Sequence, residues 1–306
     1  MSRATIRNLN CPHRIPERMI NALRAEVFKT VRRRMTYILL LSLSGLITLY
    51  YLLLWWQIRH RPTHGRSHFR EWFNLREGMS FEGVVPYALQ LERFFVTLVC
   101  IVFVATMLAN EYDWRTASLA LGRGVKRHHF LAAKAIAGLG FVLVAVLLGF
   151  AVALGWSAWF SYLIGLPFGT VDWALAGDAA EGLGRLAFAV IPFAALALLL
   201  ATIFRSTGQA VGVAAGVFFL EALFTGVLND AEGYLSHVPE VLLAANVRAV
   251  LSANGVVRDS TLAGPLGLVV GQATIPVWRG ALVVALWIVG FVVAAFWRFQ
   301  RRDVEG

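Results

Sequence analysis

Charge is scarce in this chain. Only 15% of its 306 residues are Asp, Glu, Lys or Arg, whereas 58% are hydrophobic. Soluble globular domains carry about 25% charged and roughly 45–50% apolar residues, so a soluble globular fold is excluded. Cysteine is scarcer still. Cys11 and Cys100 lie in a polar tail and inside an apolar run, which gives neither a disulfide framework nor metal-ligand spacing. The phosphate loop G-x-x-x-x-G-K-[ST], H-E-x-x-H, G-x-S-x-G and the dinucleotide fingerprint are all missing. The chain is therefore not expected to be catalytic by itself. Paired intramembrane carboxylates, needed by an intramembrane protease or a proton relay, are missing too, because the apolar runs hold only Glu92, near an end, and Glu221.

What is present is a series of apolar runs from Tyr37 to Trp297, with no hydrophilic block large enough to fold separately. Residues 1–306 read as one all-α transmembrane domain, with a basic tail (1–36), a six-helix membrane part (37–299) and a short second tail (300–306). The first 36 residues are polar and basic, and a cleaved signal would need its apolar core within about the first 15–30. Tyr37 to Trp56 is thus expected to be a retained anchor. A spanning helix needs about 20 mostly apolar residues. The runs that qualify are Tyr37 to Trp56, Phe94 to Ala109 with an extension toward Pro86, Lys134 to about Trp156, Leu186 to Phe204 with a kink at Pro192, Ser206 to Leu228, and Gly280 to Trp297. After Trp156 the third run is expected to continue as an interfacial segment to Pro167.

The net charge of +10 fits juxtamembrane segments facing anionic lipid better than a nucleic-acid partner. With a cytoplasmic N-terminus, 18 of the 28 Lys and Arg fall inside, which predicts both termini in the cytoplasm and a multi-pass protein of the inner (cytoplasmic) membrane. The segment from Gln57 to Arg93, with six arginines, runs against this bias. Arg32, Arg33 and Arg34 abut the first span and set its orientation.

Outside the spans, Met19, Leu23, Val27 and Val31 recur every four residues among Arg18, Arg24, Lys29 and Arg32. That is the period of an amphipathic helix, expected to lie flat on the inner leaflet with Arg24, Lys29, Arg32, Arg33 and Arg34 at the headgroups. On the other side, Pro239 to Ala253 reads as a helix with Pro in its first turn, and Leu262 to Ile275 is too rich in Gly and Pro to span. Together they predict re-entrant helices between spans five and six, buried against protein.

Three polar or small-residue features remain. His60, His64 and His68 recur every four residues, but Pro62 and Gly65 break that helix, so no metal site is expected. Glu221 would cost about 2.5–3.5 kcal/mol facing lipid. It reads either as a buried acceptor tying the re-entrant helices to the fifth span or as a polar point on a translocation path. Gly208, Gly212 and Gly216 form a smooth strip on the fifth span, where another helix backbone packs closely, from this chain or from a second copy.

The stretch after the second span reads Asn110-Glu-Tyr-Asp-Trp-Arg-Thr116, then Leu119-Ala-Leu-Gly-Arg-Gly-Val-Lys-Arg127, then Lys134. With Glu26-Val-Phe-Lys29, Phe204-Arg-Ser-Thr-Gly-Gln-Ala-Val-Gly212 and Phe299-Gln-Arg-Arg-Asp-Val304, it resembles the permease subunits of type-2 ATP-binding cassette (ABC) exporters. Arg115 departs from the glycine usual in that family. The resemblance implies a half-permease of six spans, paired with a second copy or a related permease, with two copies of a separate ATPase subunit that binds ATP and Mg. It also implies that residues 114–125 form a coupling helix seated in a cleft of the ATPase. The residues fit that role: Trp114, Leu119, Leu121 and Val125 offer apolar contact, and Arg115, Thr116, Arg123, Lys126 and Arg127 offer polar or charged bonds. The alternatives are a non-transporting membrane-anchored assembly or sensory protein, and a stand-alone secondary carrier.

Overall fold

The computed structural model describes residues 15–60, 84–113, 126–165, 173–228, 237–238, 240–254 and 275–301. These contain eight helices and no strand: α1 (Ile15–Arg32), α2 (Arg34–His60), α3 (Val84–Asp113), α4 (Arg127–Ile164), α5 (Trp173–Phe204), α6 (Thr207–Leu228), α7 (Leu243–Ser252) and α8 (Val277–Arg301). All but α1 and α7 are long and apolar enough to cross a bilayer. The protein is a polytopic all-α membrane protein.

Six spans in one chain put alternate connections at opposite ends of the bundle. The α1 end carries α1, the α3–α4 and α5–α6 connections and the last turn of α8. The α7 end carries α7 and the α2–α3 and α4–α5 connections.

Burial separates the spans. Most of α3 and α5 is buried, and the two pack on each other at the centre. The outer spans α2, α6 and α8 turn Leu41, Leu53, Leu223, Phe224, Leu286 and Val293 outward, as lipid-facing helices must. Aromatic pairs close the core. Phe103 of α3 stacks flat on Phe141 of α4 at 3.7 Å between centroids, and Phe193 of α5 meets Phe218 of α6 edge to face at 5.1 Å.

Two expected boundaries are corrected. The third span does not stop near Trp156: α4 is one helix of 38 residues, about 57 Å at 1.5 Å per residue. Trp156 is held inside the bundle, donating from Nε1 to Thr48 Oγ1 of α2 at 2.9 Å and stacking on Phe160. The helix ends at Gly165, whose φ of 69° is the left-handed conformation that glycine adopts without a Cβ penalty. The fourth span also starts earlier than Leu186, at Trp173, with Pro192 inside it.

The helix expected from Pro239 begins instead at Leu243. It is α7, and it packs on α5, α6 and α8. Its approach to α8 is close. A Cβ built on Gly280 would lie 2.9 Å from the Asn246 carbonyl oxygen and 3.0 Å from Ala249 Cβ, so only glycine fits there. The expected partner segment, Leu262 to Ile275, lies outside the described residues except for Ile275, which is buried against α7.

Candidate functional site

The α1 end of the bundle holds a buried ion cluster. It begins with a helix whose faces are set by the 100° step of successive residues. Glu26 and Lys29 of α1 point toward α4, while Ile20, Val27, Phe28 and Val31 are exposed on the other side. Water would not favour that arrangement, because α1 buries its acid and exposes its apolar residues. A lipid surface favours it. The expected amphipathic helix is therefore present, with Glu26 supplying its attachment to the bundle. Arg24, Arg32 and Arg34 are exposed, with the Arg32 guanidinium 4.6 Å over the Phe28 ring.

Lys134 is the centre of the cluster and is wholly buried. An ammonium has three donors, and all three are used. Nζ donates to Glu26 Oε2 at 3.1 Å, to Glu111 Oε1 at 3.2 Å and to the Met107 carbonyl at 3.3 Å. The Phe130 ring lies 5.0 Å away, within cation–π range. Glu111 Oε1 also accepts from Lys29 at 3.3 Å and from Arg33 at 3.2 Å. Lys29 closes the ring by donating to Glu26 Oε1 at 3.0 Å. Three cations thus converge on two carboxylates carried by α1 and α3.

Burial pushes the Lys29 ammonium down, but Glu26 and Glu111 outweigh it and hold it above the ordinary lysine range. A cation raised in this way contributes fully below its ordinary pKa and is lost only as pH climbs through the raised value. Lys29 therefore keeps its charge, and with it its bonds to Glu26 and Glu111, at physiological pH.

Further ties surround it. Thr207 Oγ1 at the start of α6 donates to Asn110 Oδ1 at 3.2 Å. Arg127 at the start of α4 donates to the Gln300 carbonyl of α8 at 3.1 Å, and Phe130 stacks on Phe299. Between α5 and α6, Arg205 takes a φ of 56°, an uncommon conformation for a residue with a side chain.

Of the residues proposed for coupling, Trp114, Arg115, Thr116, Leu119, Leu121, Arg123 and Val125 lie outside the described residues. Lys126 is exposed and Arg127 is half-buried. The cluster brackets this segment, with Glu111 before it and Lys134 after it.

Glu221 bridges α6 to α7. Its Oε2 accepts from the Ala244 N–H at 3.0 Å, and the Leu243 N–H bonds to the same carboxylate. The bond joins the fifth span to the helix N-terminus, as the first of the two readings of Glu221 requires. Among the described residues, Gly208, Gly212 and Gly216 pack on no other side chain or backbone. A Cβ built on any of them meets no atom within 4 Å, and they lie on the exposed face of α6 with Phe219, Leu220 and Leu223. Among the described residues the strip thus faces outward.

Sequence reasoning assigned no role to Glu92, Arg93 or Arg248. Glu92 is wholly buried, neither carboxyl oxygen has a partner among the described residues, and its Cδ would lie 3.1 Å from a Cβ on Gly149. The available signal was an acid and a base adjacent inside an apolar run. Among the described residues, no group of three or more His, Cys, Asp or Glu is placed to hold a metal ion.

A family model described as a protein of unknown function (DUF2705) matches residues 71–305, and the chain belongs to that family. No curated protein matches it.

Proposed function

We propose that this member of the DUF2705 family is the membrane permease subunit of an ABC exporter, working as a pair of copies with a separate ATPase that docks at the α1 end. One observation carries the reading. The short motifs on which the resemblance rests are spread from Glu26 to Gln300, yet they meet at one end of the bundle, through Lys134 with Glu26 and Glu111, Asn110 with Thr207, and Arg127 with Gln300. The α1 end is the cytoplasmic one under the Lys and Arg bias, which places both termini inside.

The arrangement supports a mechanical role. Residues 114–125 are fastened at both flanks, by Glu111 on α3 and Lys134 on α4, and both flanks are fastened to α1. A force applied to this segment reaches α3 at the centre of the bundle and α1 at the lipid surface together. Coupled two-state motions need such rigid connection. Alternating access then follows from ATP binding, which draws the two docking segments of the paired copies together.

The test is co-purification of a cassette ATPase with the tagged chain. The wild type is expected to recover it at equal stoichiometry. Leu119→Asp is expected to weaken that recovery about thirtyfold while the permease still inserts, because an apolar anchor in a docking cleft contributes about 2 kcal/mol. Undiminished recovery with Leu119→Asp would remove residues 114–125 from the interface. Absence of any ATPase with the wild type would favour the non-transporting anchor.

The second copy has a separate test. Because the Gly208, Gly212 and Gly216 strip touches nothing among the described residues, Gly212→Leu is expected to leave the melting temperature of the single chain unchanged while abolishing cysteine crosslinking between copies along α6. Wild-type crosslinking would show that this face meets lipid.

A further inference from the structure

At the α7 end, α3 and α7 enclose a small recess. Its polar lining is Gln90, Arg93, Arg248 and Asn254, and Leu89 and Leu251 line its apolar side. Arg93 stands eight residues into the span Val85–Glu111, about 12 Å along the helix. With the span centred on a hydrocarbon layer about 30 Å thick, that depth lies inside the layer, where a cation is costly and faces a partner or a polar cavity.

Among the described residues no carboxylate supplies that partner. Glu92 is next in sequence but is packed on Gly149 of α4. Neither the Arg93 nor the Arg248 guanidinium forms an ion pair or a hydrogen bond among the described residues, and the buried Nε of Arg93 has no partner there. The nearby third arginine behaves differently. Arg185 is paired with Glu181 and donates to Asn254 Oδ1 at 2.9 Å, so it is satisfied and fixes Asn254 at the edge of the recess. Two guanidinium groups facing one recess repel each other, and burial strengthens the repulsion. An anion between them converts the same geometry into attraction, and the planar donor fork of arginine matches phosphate oxygens.

We infer that the recess between α3 and α7 binds a phosphate-type oxyanion, held by Arg93 and Arg248. An anionic phospholipid headgroup is the source whose apolar part Leu89 and Leu251 would accommodate. The site is at the opposite end of the bundle from the ion cluster, and the inference does not depend on the transport reading.

The experiment uses the full chain in phosphatidylcholine nanodiscs, in three arms: phosphatidylcholine alone, with phosphatidylglycerol added, or with inorganic phosphate added. Melting temperature and lipid retained in native mass spectra are measured. Wild type is expected to retain phosphatidylglycerol over phosphatidylcholine and to melt higher with it. Arg248→Gln is expected to lose roughly tenfold of that preference, the effect of removing a charge-assisted bond. Arg279→Gln, at the same end but paired with Glu240 at 2.6 Å, is expected to keep it. Stabilisation by inorganic phosphate as well identifies a free oxyanion as sufficient; stabilisation by phosphatidylglycerol alone identifies the headgroup. If Arg248→Gln does not fold, Arg248→Lys serves, because it keeps the charge and loses the fork, and a partial loss is expected. Wild-type retention by the variant that folds, or equal losses in Arg248→Gln and Arg279→Gln, would overturn the inference.

Discussion

Lys134→Met is expected to lower the stability of the folded chain by about 3–5 kcal/mol, the range for breaking a buried ion pair by removing one partner. The reason is the group left behind. Glu26 and Glu111 are nearly inaccessible, and without Nζ their charges lose the only cation in the cluster that is fully buried. Lys29 and Arg33 remain, but both are partly exposed and are screened by solvent. The Met107 carbonyl loses its side-chain donor as well.

A second variant separates charge from packing. Adding Glu111→Gln to Lys134→Met removes one stranded carboxylate and is expected to restore part of the loss, because residues in one network couple non-additively. Lys134→Met is further expected to free α1, exposing Glu26 to proteolysis or hydrogen exchange before the spans open. Thermal unfolding in nanodiscs checks the first expectation. A melting temperature equal to wild type in Lys134→Met would mean that packing alone holds α1 to α4.

The spans were legible because each apolar run is long and the bilayer sets a fixed length. The start of α7 was not, and the reason is physical. Local sequence placed a start at Pro239, but α7 has no side-chain cap from its own N-cap residue, Leu242. Its first donors are met by Glu221, a residue distant in sequence. The end of the third span was missed for a related reason. Trp156 has the composition of an interface residue, and its bond to Thr48 is a tertiary fact.

The ion cluster was half legible. Glu26, Lys29, Glu111 and Lys134 all stand in the motifs that carried the resemblance, but spacing alone does not bring residue 26 to residue 134. The outward face of Gly208, Gly212 and Gly216 was equally hidden, since a small-residue strip records that a backbone can approach and not whose backbone does. Arg93 entered only as the end of a segment that runs against the charge bias and Arg248 not at all, because a count of charges does not show which ones share a recess.

Glu221→Leu is expected to destabilise the α7 end by about 1–3 kcal/mol, because the Ala244 N–H at the start of α7 loses its acceptor in a partly buried place. A helix of ten residues is marginal by itself, and α7 depends on its contacts with α5, α6 and α8 and on this cap. Glutamine distinguishes the causes. Glu221→Gln keeps a carbonyl oxygen at nearly the same position, so the bond from Ala244 survives and only the attraction of a negative charge for a helix N-terminus is lost, about 0.3–1 kcal/mol at an exposed site. Hydrogen exchange across residues 243–252 is therefore expected to rise steeply in the leucine variant and little in the glutamine variant, with the proposed export activity following the same order. If the glutamine variant folds with normal protection but is as inactive as the leucine variant, ionisation of Glu221 is what function requires, and its bond to α7 is secondary.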